Sequence, residues 1–285
     1  MKIFFRKAFF FFFKKKTYLI SSNFELKNIL NLLKEKTIFG IDTEFEWRNT
    51  YYPILSVIQI STKDEIILID CIKCKDLSGL AKLLVNPKKL LIFHSSRSDA
   101  TVLSKCAGIK CKNVFDLQIA ENILSNSPQI GYASIVKKYF GHHLNKSETN
   151  SNWLHRPLTE KQIKYAQDDV LFLIEIYKIQ SKRLKKYNLL DECFERSRKE
   201  ASLGNDDLVV ARLKKLKKFN KLEKKIFLWR ENLAIEKNLP PSYIFKDKSL
   251  KSISNCIVEK KDFYYLDNLI KNEEYTSKLI EEFLN

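Results

Sequence analysis

Glycine is scarce in this 285-residue chain, with six residues. None falls in a G-x-x-x-x-G-K-S/T pattern, the loop that cradles nucleotide phosphates. The chain therefore shows no sign of its own ATPase, and no nucleotide cofactor is expected. No apolar run approaches the ~20 residues that a helix needs to cross a bilayer, so no membrane partner is expected. Residues 1–16 contain no acid and six basic residues around the apolar run Ala8 to Phe13. They lack the small-residue cleavage site of a secretory signal. We read residues 1–19 as a basic, Phe-rich, disordered extension, with a membrane-surface or targeting segment as the other reading. Cysteines are few, at 71, 74, 106, 111, 193 and 256. Cys71 and Cys74 form a C-x-x-C pair, but the second pair is too loosely spaced for a good zinc site. Reduced thiols in a cytoplasmic protein are expected.

What is present is positive charge and enough apolar residues for a core. Lys and Arg number 51 against 34 Asp and Glu, a net charge of +17, and 45% of residues are hydrophobic. Such an excess favours a polyanionic partner such as nucleic acid, although a simple compositional bias toward lysine gives the same count. Hydrophobic periodicity predicts a helix over Phe24 to Leu33 and strands over Thr37 to Asp42, Leu55 to Ser61 and Glu65 to Asp70. Their short polar connections suit an antiparallel meander. A helix at Leu77 to Val85, a strand at Leu90 to Phe93, and helices at Ser98 to Ala107, Asp116 to Leu124 and Tyr132 to Tyr139 follow. Thr159 and Gln162 form a capping box that opens one long helix running to about Lys185. The expected fold is α/β, a mixed sheet flanked by helices over residues 20–200. After the polar stretch Ala201 to Asp207 the chain reads as all-helical, a second domain over 206–285.

The chemistry concentrates in four acids. In FGIDTEFEW (Phe39 to Trp47), Asp42 and Glu44 are two apart on a strand and share a face. Two carboxylates that close are unfavourable without a cation between them; a solvated strand end is the bland alternative. In FHSSRSD (Phe93 to Asp99), Asp99 falls in the first turn of a helix, where it can also serve the helix dipole. In KYAQDDV (Lys164 to Val170), Tyr165 and Asp169 are four apart on one helix face. Asp168 competes as a ligand but points about 100° away. Four converging carboxylates need about two divalent cations, the arrangement for in-line attack on a phosphodiester. Hard oxygen donors select Mg²⁺ or Mn²⁺.

These motifs in this order resemble the DEDD superfamily of 3′–5′ exonucleases, specifically the tyrosine-bearing ribonuclease D group. The resemblance extends through DTEFEWRNTYYPILSVIQIS (Asp42 to Ser61), FDLQIA (Phe115 to Ala120) and KSETNSNWLHRPLT (Lys146 to Thr159). It implies a ribonuclease H-like sheet, Asp42, Glu44, Asp99 and Asp169 as ligands of two divalent cations, and Tyr165 as the residue orienting the attacking water. His94 stands in a family-like position as a structural or substrate-contacting residue. Lys146 and Arg156 are candidate phosphate contacts, with a solvated loop as their alternative. The segment LEKKIFLWRENLAIEKNLPPSYIF (Leu222 to Phe245) resembles an HRDC module, and the chain has room for one. The basic run Arg212 to Lys225 is a candidate RNA guide. The implied activity is 3′–5′ exoribonuclease trimming of structured RNA, tRNA precursors above all, with release of nucleoside 5′-monophosphates. A DNA exonuclease of the same superfamily, and a catalytically silent RNA-binding module, are the competing readings.

Overall fold

The computed structural model describes residues 15–126, 129–216, 218–261 and 263–284. They fall into two compact units, one running to Glu46 and resuming over Ile54–Asp206, the other comprising Trp47–Pro53 and the chain from Asp207 onward. The first unit opens with β1 (Lys16–Ile20) and α1 (Asn23–Leu33). It continues through β2 (Ile38–Glu46), β3 (Ile54–Ser61), β4 (Glu65–Asp70), α2 (Ser78–Leu84), β5 (Leu90–Phe93), α3 (Arg97–Ala107) and β6 (Val114–Asp116). Helices α4 (Leu117–Ser125), α5 (Tyr132–Phe140), α6 (Glu160–Leu171), α7 (Leu173–Lys186) and α8 (Leu190–Asn205) complete it.

The six strands form one mixed sheet in the order β1-β4-β3-β2-β5-β6. The β2-β3-β4 meander is antiparallel, as its short connections predict, while β1, β5 and β6 join in parallel. Alternation sorts each strand between two cores. Ile58, Ile60, Ile67 and Ile69 pack with α1 and α3 on one face; Val57, Ile66 and Leu68 pack with α6 and α7 on the other. Because both faces are covered, the strands read as continuous apolar runs.

Several expectations about this unit need correction. The disordered extension over 1–19 does not hold for its last residues, since Lys16–Ile20 pair along β4 from Glu65 to Ile69; residues 1–14 lie outside those described. The single helix from Thr159 to about Lys185 is two helices, broken at Phe172. The Tyr132 hydroxyl is inserted there. It accepts from Phe172 N at 3.3 Å and donates to Asp168 O at 3.4 Å, between the two groups that would close a regular helical turn. The sheet domain, expected to end at residue 200, runs on through the polar stretch from Ala201, because α8 continues to Asn205. Gly204 allows its close approach to α3, because an added Cβ would lie 2.7 Å from Arg97 O.

The second unit is helical, as expected: α9 (Leu208–Leu213), α10 (Lys221–Lys237), α11 (Pro241–Ile244), α12 (Leu250–Val258), α13 (Phe263–Ile270) and α14 (Glu273–Phe283). Residues 47–53, assigned from sequence to the sheet domain, belong to it instead. Tyr51 is fully buried among Ile226, Phe227 and Leu233, and its hydroxyl donates to Glu231 at 2.9 Å. Arg212 stacks over the Tyr51 ring at 4.5 Å and pairs with Glu231 at 2.8 Å. This corrects the reading of Arg212 as the start of an RNA-guiding run. Among the described residues, no helix is long and apolar enough to cross a membrane.

Candidate active site

Sheet alternation places the two acids of β2 on one side. Phe39 and Ile41 enter the core facing α1 and α3, so Gly40, Asp42 and Glu44 point to the side of α6 and α7. There Gly40 lets α7 come close, as a Cβ at this position would lie 2.9 Å from Leu173 Cβ. Ser61, paired with Gly40 across the ladder, donates its hydroxyl to Val170 O at 2.8 Å. These two contacts dock the α6–α7 junction on the sheet and carry Asp169 to the acids of β2. The opposite face contributes too: Thr43 donates to Asp99 Oδ1 at 2.6 Å, drawing the first turn of α3 to the strand.

Asp42, Glu44, Asp99, Tyr165 and Asp169 all line one cavity of about 360 Å³, joined by Thr43, His94, Ser95, Ser98, Tyr132 and Thr149. Burial raises Asp42 well above the usual carboxylate range, and the charges of Asp99, Asp169 and Glu44 push it further. Burial with Asp169 and Asp99 nearby lifts Glu44 to about 9. Burial, then Asp168 and Asp99, lift Asp169 to about 7, partly offset by the Tyr165 hydroxyl. Burial raises Asp99 to about 6, against hydrogen bonds from Thr43 and Asp42. The four acids therefore share one electrostatic environment, in which negative charge is costly without a counter-ion. As they stand, no three His, Cys, Asp or Glu side chains among the described residues close around a single point tightly enough to grip one ion. All four donors are hard carboxylate oxygens facing one polar cavity, a set suited to Mg²⁺ or Mn²⁺. The C-x-x-C pair is different in kind: Cys71 and Cys74 lie in the hydrophobic core, and burial raises both thiols.

Asp168, the competing acid, is turned away to Lys164 on the outer face of α6. Tyr165 packs on Trp153, ring centroids 5.9 Å apart, and its hydroxyl lies 3.3 Å from Thr149 Oγ1. His94 Nε2 donates to Ile130 O at 2.8 Å, and burial lowers its pKa, so a neutral ring forms part of the cavity wall. Lys146 is exposed on the loop carrying Thr149, and its charge also opposes protonation of His94.

Arg156 does not reach the cavity. Its Nε donates to Asp70 at 2.7 Å, and its other four N–H groups go to Trp153 O, His155 O, Ser56 O and Ser56 Oγ. Ser56 is the extra residue of a β-bulge, where pairing steps from Glu44–Val57 to Phe45–Leu55. Arg156 thus braces the bulge beside Glu44 rather than offering a charge to a phosphate.

Sequence reasoning missed Asp116. Its carboxylate accepts from Ser95 N at 3.1 Å, Ser96 N at 2.7 Å and Gln118 N at 2.9 Å. It thereby fixes the turn between β5 and α3, in which Ser95 takes a left-handed φ of 64°. That turn places His94 and Asp99 on either side of it. The signal lay in FDLQIA, quoted for resemblance but given no task.

Residues 18–185 match the family model described as 3′-5′ exonuclease, and residues 219–256 match that of the HRDC domain. Ribonuclease D of Desulfotalea psychrophila is 35% identical over 254 residues, 83% of this chain and 66% of that protein. Ribonuclease D of Haemophilus influenzae is 32% identical over 258 residues, 82% of this chain and 61% of that protein. The chain thus spans just under two thirds of the length of these relatives. The crystal structure of Escherichia coli RNase D, titled an exoribonuclease involved in structured RNA processing, superposes with a TM-score of 0.76 at 24% identity. The match covers 85% of this chain and 67% of that one, and it shows the shared fold.

Proposed function

Because the chain belongs to the 3′-5′ exonuclease family, we propose that it is a divalent-cation-dependent 3′–5′ exoribonuclease of the ribonuclease D type. Its substrates are the 3′ ends of structured RNA, tRNA precursors above all, and each cycle releases a nucleoside 5′-monophosphate. The observation that carries this reading is the set of four acids on one cavity wall, each pushed toward protonation by burial and by its neighbours. Such a set is costly to keep unless a cation balances it. Two divalent cations, Mg²⁺ or Mn²⁺, held by Asp42, Glu44, Asp99 and Asp169, would supply Lewis acidity toward water and toward the phosphate oxygens.

The chain's own groups do the rest. Asp42, Glu44 and Asp169 release their protons when the site is charged and hold the polar side of the cavity. Thr43 keeps one Asp99 oxygen in place through its hydroxyl. Tyr165 presents its phenol oxygen beside Asp169 and Glu44, where it orients the attacking water. Water attacks the terminal phosphorus, the bond to the 3′ oxygen of the penultimate nucleotide breaks, and that oxygen takes up a proton. RNA rather than DNA is the preferred substrate on the strength of the ribonuclease D relatives.

The test is an assay of purified protein on a 3′-extended tRNA and a matched DNA strand with Mg²⁺, Mn²⁺ or EDTA. Stepwise release of 5′-mononucleotides from RNA, lost in EDTA and in Asp42→Asn, is expected. Activity that survives either treatment would refute the cation-dependent mechanism, and equal rates on both strands would refute the RNA assignment.

A further inference from the structure

Tyr132, the first residue of α5, lines the cavity, and its ring packs on His94 with centroids 5.6 Å apart. Its hydroxyl turns to backbone. An amide N–H can only donate and a carbonyl can only accept. The phenol therefore accepts from Phe172 N at 3.3 Å and donates to Asp168 O at 3.4 Å, with both directions fixed by the partners. In an unbroken helix those two groups would bond each other. Phe172 instead has φ −99° and ψ −6°, away from the helical values of about −63° and −42°. Between them, Ser61 holds Val170 O. The backbone on both sides of Asp169 is thus gripped from outside the helix. Tyr132 is itself placed from the turn between β5 and α3. Ile130 O, two residues before it, accepts from His94 Nε2 at 2.8 Å and from Gln118 Nε2 at 3.2 Å. Gln118 N is in turn bound by Asp116, whose carboxylate fixes that turn.

We propose that Tyr132 is a positioning residue whose hydroxyl holds the junction of α6 and α7 open and so sets where Asp169 meets the acids of β2. Phe172 is 3% exposed, and a buried amide needs an acceptor. With the hydroxyl gone, Phe172 N and Asp168 O are left to each other, the turn closes, and Asp169 moves with it. One turn then places two acids: Asp99 directly, and Asp169 through His94, Ile130 and Tyr132. The consequence for cleavage rests on the exonuclease reading, but the backbone geometry stands apart from it.

The experiment separates the two. Tyr132→Phe removes only the hydroxyl. Tyr139→Phe is the control, because it removes a hydroxyl from the same helix that donates to buried Glu121 at 2.7 Å, outside the cavity lining. With ¹⁵N-labelled phenylalanine, the Phe172 amide resonance should move in Tyr132→Phe, whether or not the protein cleaves RNA. Calorimetric titration with Mn²⁺ should show affinity about tenfold weaker in Tyr132→Phe, at the low end of what losing an outer partner costs a metal site, and unchanged in Tyr139→Phe. In the RNA assay, Tyr132→Phe should lower kcat about tenfold with KM within about twofold, as a misplaced group felt in the transition state does. An unmoved Phe172 amide, an unchanged Mn²⁺ affinity in Tyr132→Phe, or equal losses in both variants would overturn the assignment. Wild-type protein that binds Mn²⁺ but leaves RNA uncut, with the Tyr132→Phe changes in resonance and affinity intact, would instead overturn the exonuclease reading.

Discussion

Arg156 commits all five guanidinium N–H groups to protein acceptors, with Asp70 buried beneath it. Removing one partner of a buried pair leaves the other charge uncompensated, at about 3–5 kcal/mol. Arg156→Ala should therefore lower the urea midpoint by that equivalent, and the fall should precede any change in KM measured on the remaining folded protein. A raised KM with unchanged stability would return Arg156 to the phosphate role. The acids make a second prediction at this scale. Their folded pKa values lie above their unfolded ones, so they bind more protons folded than unfolded. The stability they contribute is complete below about pH 4 and is lost as pH rises through the folded values, about 7 for Asp169 and about 9 for Glu44. In EDTA the melting temperature should fall across that window, and Mg²⁺ should raise it more at the alkaline end than at the acid end. Equal Mg²⁺ effects at both ends would remove the cation from this account.

The pairs Asp42–Glu44 and Tyr165–Asp169 were readable in the sequence because their spacing repeats the geometry of a strand and of a helix, whereas Asp99, whose place in a first helical turn has an ordinary explanation, joined them through the resemblance of the motifs taken together. Asp116 and Arg156 were not, because their partners are backbone groups brought near only by the fold. Nothing about Arg156 in sequence distinguishes a buried brace from an exposed phosphate contact.

At the scale of elements, the junction of α6 and α7 decides where Asp169 stands. Its start was legible, because Thr159 and Gln162 cap each other as the capping box predicts. Its break was not, since the cause is a tyrosine 40 residues away in sequence. The docking of the junction depends on Gly40, where a methyl would meet Leu173 and Ser61. Overpacking of this kind costs about 1–3 kcal/mol. Gly40→Ala should thus destabilise the protein by that amount and, by displacing Asp169 from Asp42, reduce kcat more than it reduces the folded fraction. Chemical denaturation beside single-turnover cleavage checks this; a kcat loss no larger than the loss of folded protein would count against it. The meander was equally legible, from its short connections. Strand β1 was hidden by the lysines and phenylalanines that precede it, which make the whole region read as an extension.

Over the whole molecule, the excess of 17 positive charges makes a prediction that needs no single residue. Binding that releases phosphate counter-ions weakens linearly in log–log terms with added salt. The affinity for RNA should fall steeply across a KCl series, while the affinity for a mononucleotide product changes little; a flat RNA response would reduce the charge to compositional bias. The second unit was foreseen as helical, but its membership was not, because residues 47–53 are far in sequence from their neighbours. Tyr51 meets Glu231 across 180 residues. On the ribosome, where chains grow at roughly 5–20 residues per second, that separation is a wait of about 10–40 s. For that interval an aromatic side chain made for burial lacks its partner, which arrives only when about four fifths of these 285 residues have been joined. The cover of Tyr51 is thus an event late in synthesis, set by chain order and not by chemistry.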